Sequence, residues 1–333
     1  MSTDTLLITG ATGMLGSAVA RRAIAAGYTV QAMVRPNSDR RALAGLPVAF
    51  VEADLEDPET LPDALAQADR VVHTAAHVGD WGPVGQYRAV NVVALEHMLS
   101  AVECHGRLKR WIHISSVGVY PPGHHYGTDE SVARDITGLD GYTQTKAEAE
   151  VVVQQHVEQH GLPAVVLRPG FLYGPGDRHG LKRMVEKLQA GKMKFIGPGD
   201  KLLHNTNVEN LVDAIILALE KPGIEGQTYN ILDERLVTRQ ELIHTMADYL
   251  GKPHPGHVPE WLARMLVRPI ERIARLRGRK TTPPLTSNMI RYMTYNLEFS
   301  IEKAKRELGY RPQIDFRDGI RVALDDMTGR QEG

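Results

Sequence analysis

Tyr142 and Lys146 stand four residues apart in the segment GYTQTK (141–146) and could form a proton-transfer pair. A free tyrosine has a pKa of about 10, which is too high for a base near neutral pH. A neighbouring ammonium group favours the phenolate, which can then exchange a proton with a substrate hydroxyl or carbonyl. Because the same spacing also arises by chance, the interpretation depends on the elements that would position the two side chains.

Short apolar runs alternate with segments of helical periodicity along the first half of the chain. Runs rich in valine and isoleucine are typical of strands buried on both faces of a parallel sheet. Segments 14–27 and 94–106 carry apolar residues at helical spacing, and each ends in a glycine suited to a helix C-terminus. This alternation predicts an α/β fold with a doubly wound parallel sheet of the Rossmann type. The predicted strands lie in 5–9, 29–35, 48–54, 70–76, 110–116 and 164–170.

The alternation breaks after about Gly170 and then resumes once. A helix predicted in 208–221 precedes one more strand in 228–233, and the remaining segments look like a smaller, irregular lobe. The predicted division is 1–170 plus about 200–232 for a dinucleotide-binding domain, and about 171–199 and 233–333 for a C-terminal substrate-binding lobe.

The segment TGATGMLG (9–16) joins the first predicted strand to the first helix. A chain that turns tightly, approaches a pyrophosphate with its backbone and packs a helix close to a strand has no room for side chains at its glycines. The helix N-terminus would offer free N–H groups to the phosphates. A plain glycine-rich turn is the alternative. The predicted cofactor contacts in this loop are Gly10, Thr12, Gly13, Met14, Leu15 and Gly16.

The end of the second predicted strand bears on the choice of cofactor. NAD-binding proteins of this fold usually place a carboxylate there, which accepts hydrogen bonds from the adenosine ribose. Arg35 occupies that place, and the next acidic residue is Asp39. An arginine favours the 2′-phosphate, so we expect NADP(H) rather than NAD(H), unless Arg35 is a solvated surface residue. Asp54, next to Leu55 after the third strand, is placed to bind the adenine amine or to cap the following turn.

The fifth predicted strand brings serines to the same edge of the sheet as the glycine loop. Ligands of an open parallel sheet bind beyond the carboxyl ends of its strands. Ser115 and Ser116 end this strand, and a helix follows in which Tyr142 and Lys146 lie one turn apart on one face. The pair therefore faces the groove in which a cofactor is expected, with a polar helix face as the alternative.

In these features the chain resembles the extended short-chain dehydrogenases/reductases of the NAD-dependent epimerase/dehydratase superfamily. The resemblance covers most of about the first 180 residues, with its parts in the right order. It implies a bound NAD(P)(H) and hydride transfer to or from a carbinol carbon while Tyr142 moves the proton. The segments that carry it are TGATGMLG, EADLEDP, VVHTAA, YRAVNV, HISSVGVY, GYTQTK and LRPGFLYGPGD.

The same resemblance implies roles for further residues. Ser116 matches the family's catalytic serine and would hydrogen-bond the substrate oxygen, while Lys146 would also bind the nicotinamide ribose. Asn91 matches an asparagine near the cofactor, although the residues that follow it depart from the family's usual Gly-Thr. Ala75 and Pro169 are expected to pack along the cofactor.

Branches of this family differ at the segment KLLHNTNVENL (201–211). Nucleotide-sugar epimerases and dehydratases usually hold a diphosphate there with an arginine, but Leu203 stands in its place and Asn210 replaces the usual aspartate. A diphosphate is poorly held without a bidentate arginine, unless Lys201 or Arg178 compensates.

The C-terminal region instead resembles the 3β-hydroxysteroid dehydrogenase-like branch, which acts on sterols and long-chain 2-alkyl-3-oxoacids. The resemblance lies in 281–312 and in the loop GDWGP (79–83). It implies that a secondary alcohol and a ketone are interconverted on a large apolar substrate, contacted by Trp81, Val117 and Tyr173. Packing within the lobe is the alternative for Trp81. A nucleotide-sugar epimerase or dehydratase and a non-catalytic NADP(H)-binding sensor remain alternative functions.

The segment 261–280 combines basic and apolar residues at helical spacing, interrupted by Pro269. Such a helix either docks the substrate mouth against an anionic membrane or lipid carrier, or covers the pocket as a lid with its apolar side inward and its arginines in water. Its basic residues are Arg264, Arg268, Arg272, Arg275, Arg277, Arg279 and Lys280, and its apolar stripe is Leu262, Leu266, Ile270 and Ile273.

The composition is that of an ordinary globular protein, with 333 residues, 42% hydrophobic and 24% charged, and a net charge of -1. This charge gives no reason to expect a nucleic-acid partner. A single cysteine, Cys104, and a first strand that starts at Thr5 lead us to expect a cytoplasmic protein without signal peptide or spanning helix. The histidines of HVGDW and GHHYG lack partners at ligand spacing, so no metal is expected. We expect a homodimer, as relatives often pair through helices that flank the sheet.

Overall fold

The computed structural model describes residues 4–79, 81–138, 140–178, 180–277, 279 and 281–329, without the side chain of Arg275. The strands are β1 (Thr5–Thr9), β2 (Thr29–Val34), β3 (Val48–Glu52), β4 (Arg70–His73), β5 (Arg110–Ile114), β6 (His125–Thr128), β7 (Ala164–Pro169), β8 (Phe171–Tyr173), β9 (Phe195–Ile196), β10 (Leu202–Leu203), β11 (Asn205–Asn207), β12 (Thr228–Ile231), β13 (Val237–Thr238), β14 (His257–Val258) and β15 (Leu297–Phe299). The α-helices are α1 (Met14–Ala25), α2 (Leu61–Leu65), α3 (Val84–Arg88), α4 (Ala94–His105), α5 (Gly141–His160), α6 (Gly180–Gln189), α7 (Val208–Glu220), α8 (Arg239–Tyr249), α9 (Glu260–Leu276), α10 (Ser287–Thr294) and α11 (Phe316–Thr328). A π-helical stretch, Ala89–Val93, joins α3 to α4.

Within the described residues, seven parallel strands form the central sheet in the order β12-β7-β5-β4-β1-β2-β3. The strand order reverses between β1 and β4, and α/β sheets bind ligands in the crevice at such a point. Most of the strands end earlier than the sequence predicts, because the residues that follow them enter loops at this carboxyl edge. The predicted α/β fold of the Rossmann type is confirmed.

Alternate residues of β1 reach opposite faces of the sheet, as a strand buried on both sides requires. Leu6 and Ile8 lie in an apolar cluster with residues of α1 and α7, whereas Leu7 lies in a second cluster with residues of α4 and α5. Helix α5, which carries Tyr142, is therefore fixed against the sheet by the second of these cores.

A second sheet within the described residues has the strand order β13-β10-β15-β6 and packs beside α6, α8 and α11. Strand β6 comes from the segment between β5 and α5, yet it pairs in parallel with β15 near the C-terminus. The lobe therefore takes up a segment that the sequence assigns to the dinucleotide-binding domain. The predicted domain division itself stays a prediction.

A buried carboxylate at the end of β12 joins the central sheet to the lobe. Asp233 accepts hydrogen bonds from the side chains of Asn205 (2.7 Å), Asn210 (2.7 Å) and Tyr173 (3.0 Å), and from the backbone N–H of Asn207 (2.9 Å). Burial raises the pKa of Asp233 to about 6 even though these donors oppose the shift. The sequence aligns Asn210 with an aspartate of the sugar-nucleotide enzymes, and here its amide donates to Asp233.

Helix α9 packs on the lobe through small residues. Ala263, Val267 and Ala274 are buried, whereas the larger Leu266 and Ile273 of the predicted apolar stripe are exposed. Leu266 and Ile273 therefore do not face inward, as the lid alternative expects of the apolar stripe. Lys280 and the side chain of Arg275, which the sequence adds to the basic face, lie outside the described residues. None of the described helices is both long and apolar enough to cross a bilayer.

Candidate active site

The glycine loop between β1 and α1 is shaped by contacts that exclude side chains. Gly10 has a φ of 65°, and a Cβ placed on it would lie 2.9 Å from the backbone of Ala75. A Cβ on Gly16 would lie 2.3 Å from the carbonyl oxygen of Gly10. Gly13 is the N-cap of α1 and has no side chain that could occupy the first N–H groups of the helix. The loop therefore fits a pyrophosphate approached by backbone.

The other predicted cofactor residues lie around this loop with different exposures. Thr12, Met14 and Ala75 are half-buried at the carboxyl edge of the sheet. The side chain of Leu15 is buried in the core beneath the loop, so its backbone N–H is the group that could face a phosphate. Pro169 is buried at the end of β7. Contact of these residues with a cofactor stays a prediction.

The loop after β2 is strongly basic. Arg35 is exposed, and its backbone N–H donates to the hydroxyl of Ser38 at 3.1 Å. The acidic residue nearest in sequence, Asp39, forms ion pairs with Arg41 at 2.7 Å and with Arg178 at 3.6 Å. These guanidinium groups, Arg41 foremost, hold the pKa of Asp39 well below its usual range. The negative charge of Asp39 is thus balanced, and Arg35 is left to face an anion.

Asp54 has the turn-capping role that the sequence leaves as an alternative. Its Oδ1 accepts the backbone N–H of Glu56 at 3.1 Å, and its own N–H donates to the hydroxyl of Thr60 at 3.1 Å. Leu55 lies half-buried in the same turn. An adenine contact by Asp54 or Leu55 stays a prediction.

Helix α5 begins with a capping box that positions the proposed catalytic pair. The carboxylate of Asp140 accepts the N–H of Thr143 at 2.8 Å, and the hydroxyl of Thr143 accepts the N–H of Asp140 at 3.1 Å. Tyr142 thus lies in the first turn and Lys146 one turn later. Ser116, which follows β5, hydrogen-bonds the Tyr142 hydroxyl and thereby acts to lower its pKa. The structure brings Ser116 and Tyr142 together, as the sequence predicts.

The electrostatics of Tyr142 differ from the sequence-based expectation. Burial raises the pKa of Tyr142 to about 12, and the Asp140 carboxylate acts in the same direction. The lowering expected from Lys146 is absent because the ammonium group points into the protein, where its Nζ donates to the carbonyl of Ile114 at 2.7 Å. Burial lowers the pKa of Lys146 to about 8. In this structure Tyr142 is therefore a protonated donor, and Lys146 anchors α5 to β5.

A buried ion pair lies beneath Lys146. Glu150, one helical turn further along α5, accepts hydrogen bonds from Ser115 (2.5 Å) and from Nε and Nη2 of Arg168 (2.8 and 2.6 Å). The guanidinium of Arg168 also lies 4.8 Å from the centre of the Tyr120 ring. The charge of Glu150 acts against burial and raises the pKa of Lys146. Sequence reasoning misses this group, although the Lys-x-x-x-Glu spacing on one helix face is a signal for it.

Asn91 ties the loop after β4 to α5. Its Oδ1 accepts the N–H of His77 at 2.7 Å, and its Nδ2 donates to the His77 carbonyl (3.1 Å) and the Thr145 hydroxyl (3.0 Å). Next to it, the buried ring of Tyr87 packs so closely on Gly141 that a Cβ there would lie 2.7 Å from the ring. Because its amide bonds to the protein, any cofactor role of Asn91 is one of positioning.

Known proteins share the sequence features and the fold described above. The model of the NAD dependent epimerase/dehydratase family matches residues 6–231. The chain belongs to the NAD-dependent epimerase/dehydratase family. It is an oxidoreductase of the extended short-chain type, and the dinucleotide of its family is NAD(P), which the glycine loop fits.

Relatives of this extended short-chain dehydrogenase/reductase include two enzymes with informative names. It is 29% identical over 326 residues to the 2-alkyl-3-oxoalkanoate reductase of Stenotrophomonas maltophilia, covering 95% of this chain and 97% of the relative. It is 29% identical over 306 residues to the decarboxylating sterol-4-alpha-carboxylate 3-dehydrogenase ERG26 of Candida albicans, covering 84% and 83%. The crystal structure of gox2253 superposes with a TM-score of 0.84 at 28% identity, over 99% and 100% of the two chains. The predicted 3β-hydroxysteroid dehydrogenase-like branch is confirmed.

The segment that holds a diphosphate in the sugar-nucleotide members of the family is closed here. Leu203 and Asn210 are both buried, and neither carries a positive charge that could hold a diphosphate. Of the two cations that could compensate, Lys201 pairs with Asp200 at 3.3 Å, and Arg178 pairs with the carboxylate after β2.

The predicted substrate residues of this dehydrogenase lie in three different settings. Trp81 is half-buried, and its Nε1 donates to the carbonyl of Arg279 at 3.0 Å, which fits the lobe-packing alternative. Val117 is half-buried in the turn after β5. Strand β8 turns the side chain of Tyr173 into the lobe core, where it is 1% exposed and bonds to Asp233, so its contact with substrate stays a prediction.

Helix α10 of the lobe borders the catalytic residues. Nδ2 of Asn288 donates to Oδ2 of Asp140 at 3.4 Å, and Tyr292, one turn later, acts electrostatically on Tyr142. The guanidinium of Arg239 lies 5.4 Å from the centre of the Tyr292 ring. Tyr292 is thus near both the hydroxyl of Tyr142 and the buried Arg239.

Arg239 is a further candidate that sequence reasoning misses. It is 2% exposed, and its Nη1 donates to the carbonyls of Lys201 (3.1 Å) and Leu202 (2.7 Å). Its Nε and Nη2 have no hydrogen-bond partner among the described residues. Burial lowers the pKa of Arg239 to about 10, so it remains charged at neutral pH. Buried donors are normally satisfied, and a guanidinium with two free N–H groups suits a carboxylate.

A group with metal-ligand spacing also escapes the sequence analysis, which expects no metal. One ligand atom each of Glu103, His156 and His160 lies within 4.8 Å of the others. The two histidines follow Tyr142 on α5 by a helical rise of roughly 20 Å or more, so the group is separate from the catalytic residues. It joins residues of α4 and α5, which no spacing within one segment reveals.

We predict that Glu150→Gln shifts the alkaline limb of the pH–rate profile to lower pH. Glu150 raises the pKa of Lys146, so without its charge burial lowers that pKa further below about 8. The ammonium group then loses its proton at lower pH. The measurement is kcat/KM for ketone reduction as a function of pH, with the thermal midpoint recorded, because Arg168 loses its buried partner.

Glu148→Gln is the matched control for this substitution. Glu148 lies on the same helix but pairs with Arg88 at 2.7 Å, and its charge does not shift the pKa of Lys146. Its pH profile should equal that of the wild type. A Glu150→Gln profile that coincides with both would exclude a positioning role for Glu150.

Proposed function

We propose that the protein interconverts a secondary alcohol and a ketone on a hydrophobic substrate, sterol-like or a long-chain 3-oxo or 3-hydroxy acid, with NADP(H) as cofactor. The observation that carries this proposal is that Ser116 lies close enough to Tyr142 to act on its phenol, at the carboxyl edge of the sheet that also carries the glycine loop. The named activities of the two enzyme relatives support the same chemistry.

In ketone reduction, bound NADP(H) supplies the hydride that reaches the carbonyl carbon. Tyr142 gives its phenolic proton to the carbonyl oxygen, and the hydroxyl of Ser116 holds that oxygen in place. A tyrosine with a pKa of about 12 is protonated at neutral pH and suits this donor role. Lys146 anchors α5 through the Ile114 carbonyl and thereby fixes the helix that carries Tyr142.

The other two functions find less support. A nucleotide-sugar epimerase or dehydratase needs a cation for its diphosphate, but the buried Leu203 replaces the arginine of those enzymes. A non-catalytic sensor has no use for the paired hydroxyls of Ser116 and Tyr142. A homodimer stays part of the proposal.

Tyr142→Phe should lower the rate of ketone reduction about 10²–10⁴-fold, because it removes the proton donor and keeps the ring. NADPH binding, followed by nicotinamide fluorescence, should be retained. The assay uses a panel of steroid ketones and long-chain 3-oxoacids, with loss of nicotinamide absorbance as the readout. The control is Tyr126→Phe, whose side chain is 72% exposed and away from these contacts. Unchanged turnover in Tyr142→Phe would favour the sensor.

The preference for NADP(H) is supported by the charges after β2. Arg35 is exposed at the strand end where NAD-binding proteins place a carboxylate, and Asp39 is balanced by Arg41 and Arg178. A 2′-phosphate would therefore meet a net positive surface, with Arg35 able to bind it through two N–H groups.

Arg35→Asp should reverse the ratio of kcat/KM for NADPH over NADH, with a loss of tenfold or more for NADPH (about 1.4 kcal/mol). Phosphate repulsion and ribose hydrogen bonding to the new carboxylate both contribute. Lys252→Asp makes the same change of charge at an exposed position in the lobe and should leave the ratio unaltered. An unchanged ratio in Arg35→Asp would remove the assignment of NADP(H).

We further propose that the substrate carries an anionic group that binds Arg239. Support comes from the unpartnered Nε and Nη2 of this buried guanidinium and from Tyr292, which is near both Arg239 and Tyr142. The names of both enzyme relatives denote acids with a carboxylate close to the reacting carbon. A carboxylate on the substrate would satisfy donors that are otherwise costly to bury.

Arg239→Lys should raise KM for a 3-oxo acid about tenfold or more, while KM for its methyl ester changes little. Lysine keeps the charge but loses the planar pair of donors that fits a carboxylate. Arg235→Lys, a nearby surface arginine paired with Glu241, is the control. Equal changes for acid and ester would show that Arg239 acts only by supporting the lobe.

A further inference from the structure

Helix α9 presents its large apolar side chains to solvent. The exposed fractions are 67% for Trp261, 60% for Met265 and 79% for Leu276, with Leu266 at 42% and Ile273 at 49%. At about 100° per residue these positions fall within an arc of about 140°. We call these five residues the α9 face. A contiguous apolar surface of this kind marks a binding surface.

Basic residues border the α9 face. Arg264, Arg268 and Arg272 follow one edge of the arc and Arg277 lies beyond the other, and all four are exposed. Apolar side chains beside arginines match a bilayer surface, where acyl chains lie beneath anionic phosphates.

The carboxylates of α9 do not cancel this charge. Glu260 pairs with Arg264 at 2.5 Å, at the start of the helix. Glu271 accepts hydrogen bonds from the N–H (2.7 Å) and hydroxyl (3.0 Å) of Ser287, so it points towards α10 and away from the α9 face. Arg268, Arg272 and Arg277 are therefore left to meet an anionic partner.

The α9 face lies on the elements that border the catalytic site. Ser287, which binds Glu271, begins α10, and the same helix carries Asn288 and Tyr292 next to Asp140 and Tyr142. Beyond the end of α9, the carbonyl of Arg279 accepts the indole N–H of Trp81, which follows β4.

We propose that the α9 face binds the surface of an anionic bilayer, with its apolar side chains among the acyl chains and its arginines at the phosphates. Binding there would bring α10, which carries Asn288 and Tyr292, close to the bilayer surface. A second copy of this chain fits less well, because two such faces would bring arginines against arginines. The proposal concerns binding and holds whether or not a ketone is the substrate.

Co-sedimentation with vesicles tests this proposal. The full chain should bind phosphatidylcholine vesicles that contain phosphatidylglycerol, and bind pure phosphatidylcholine much more weakly. Arg268→Glu with Arg272→Glu should lower the affinity roughly 30-fold or more, since each arginine near an anionic surface contributes about 1 kcal/mol. Trp261→Ser with Leu276→Ser should lower it on every vesicle, because it removes buried apolar area.

Matched control variants carry the same kinds of substitution at exposed positions outside α9. Arg317→Glu with Lys252→Glu alters exposed charges outside α9, and Val322→Ser removes an apolar side chain that is 50% exposed on α11. Both should bind like the wild type, and thermal midpoints confirm folding. Binding that is insensitive to phosphatidylglycerol and to the α9 variants would overturn the proposal. The proposal would also be overturned if the protein sediments as a dimer that Trp261→Ser with Leu276→Ser dissociates, while this variant still binds vesicles.

Discussion

Helix α5, which carries Tyr142 and Lys146, depends on a buried carboxylate of its own, that of Glu150. Glu150 is 2% exposed and binds Ser115 of the loop after β5 and Arg168 of β7, while its charge acts on Lys146 one turn earlier. Removing one partner of such a pair leaves an uncompensated buried charge, which typically costs 3–5 kcal/mol. Three elements that are distant in sequence are therefore held in one arrangement.

This arrangement accounts for the state of the two proposed catalytic residues. Lys146 can be buried as a cation because Glu150 lies nearby and the Ile114 carbonyl accepts a hydrogen bond from its ammonium group. Tyr142, in the first turn of the same helix, has no neighbouring opposite charge of this kind. Burial therefore raises its pKa, and the phenol stays protonated. The phenol of Tyr142 is thus a proton donor, and the ammonium group of Lys146 is a buried cation one helical turn further along α5.

The sequence allows prediction of features that depend on local pattern. The strands of the central sheet and the glycine loop follow from apolar periodicity, glycine spacing and the geometry of parallel sheets, whereas the choice of Ser116 as the partner of Tyr142 rests on the family resemblance. The bond of Lys146 to a strand carbonyl does not follow, because spacing on a helix does not fix where a flexible side chain ends. Arg239 and Tyr292 meet only through tertiary packing.

Helix α9 shows more clearly what the periodicity of apolar residues cannot predict. A repeating pattern identifies the apolar side of a helix but does not say which side the protein covers. Here Ala263 and Val267 face the lobe, and the larger Leu266 and Ile273 face outward. Tyr173 shows a related limit, since the alternation of β8 does not say which face is buried, and its side chain lies in the lobe core.

The carboxylate of Asp140 serves two elements with separate oxygen atoms. Oδ1 caps the catalytic helix through Thr143, and Oδ2 accepts the Asn288 amide of the lobe. If α10 swings outward to admit a bulky molecule, only the second contact is lost, and the first turn of α5 stays wound. Substrate entry and the fixed orientation of Tyr142 are therefore compatible.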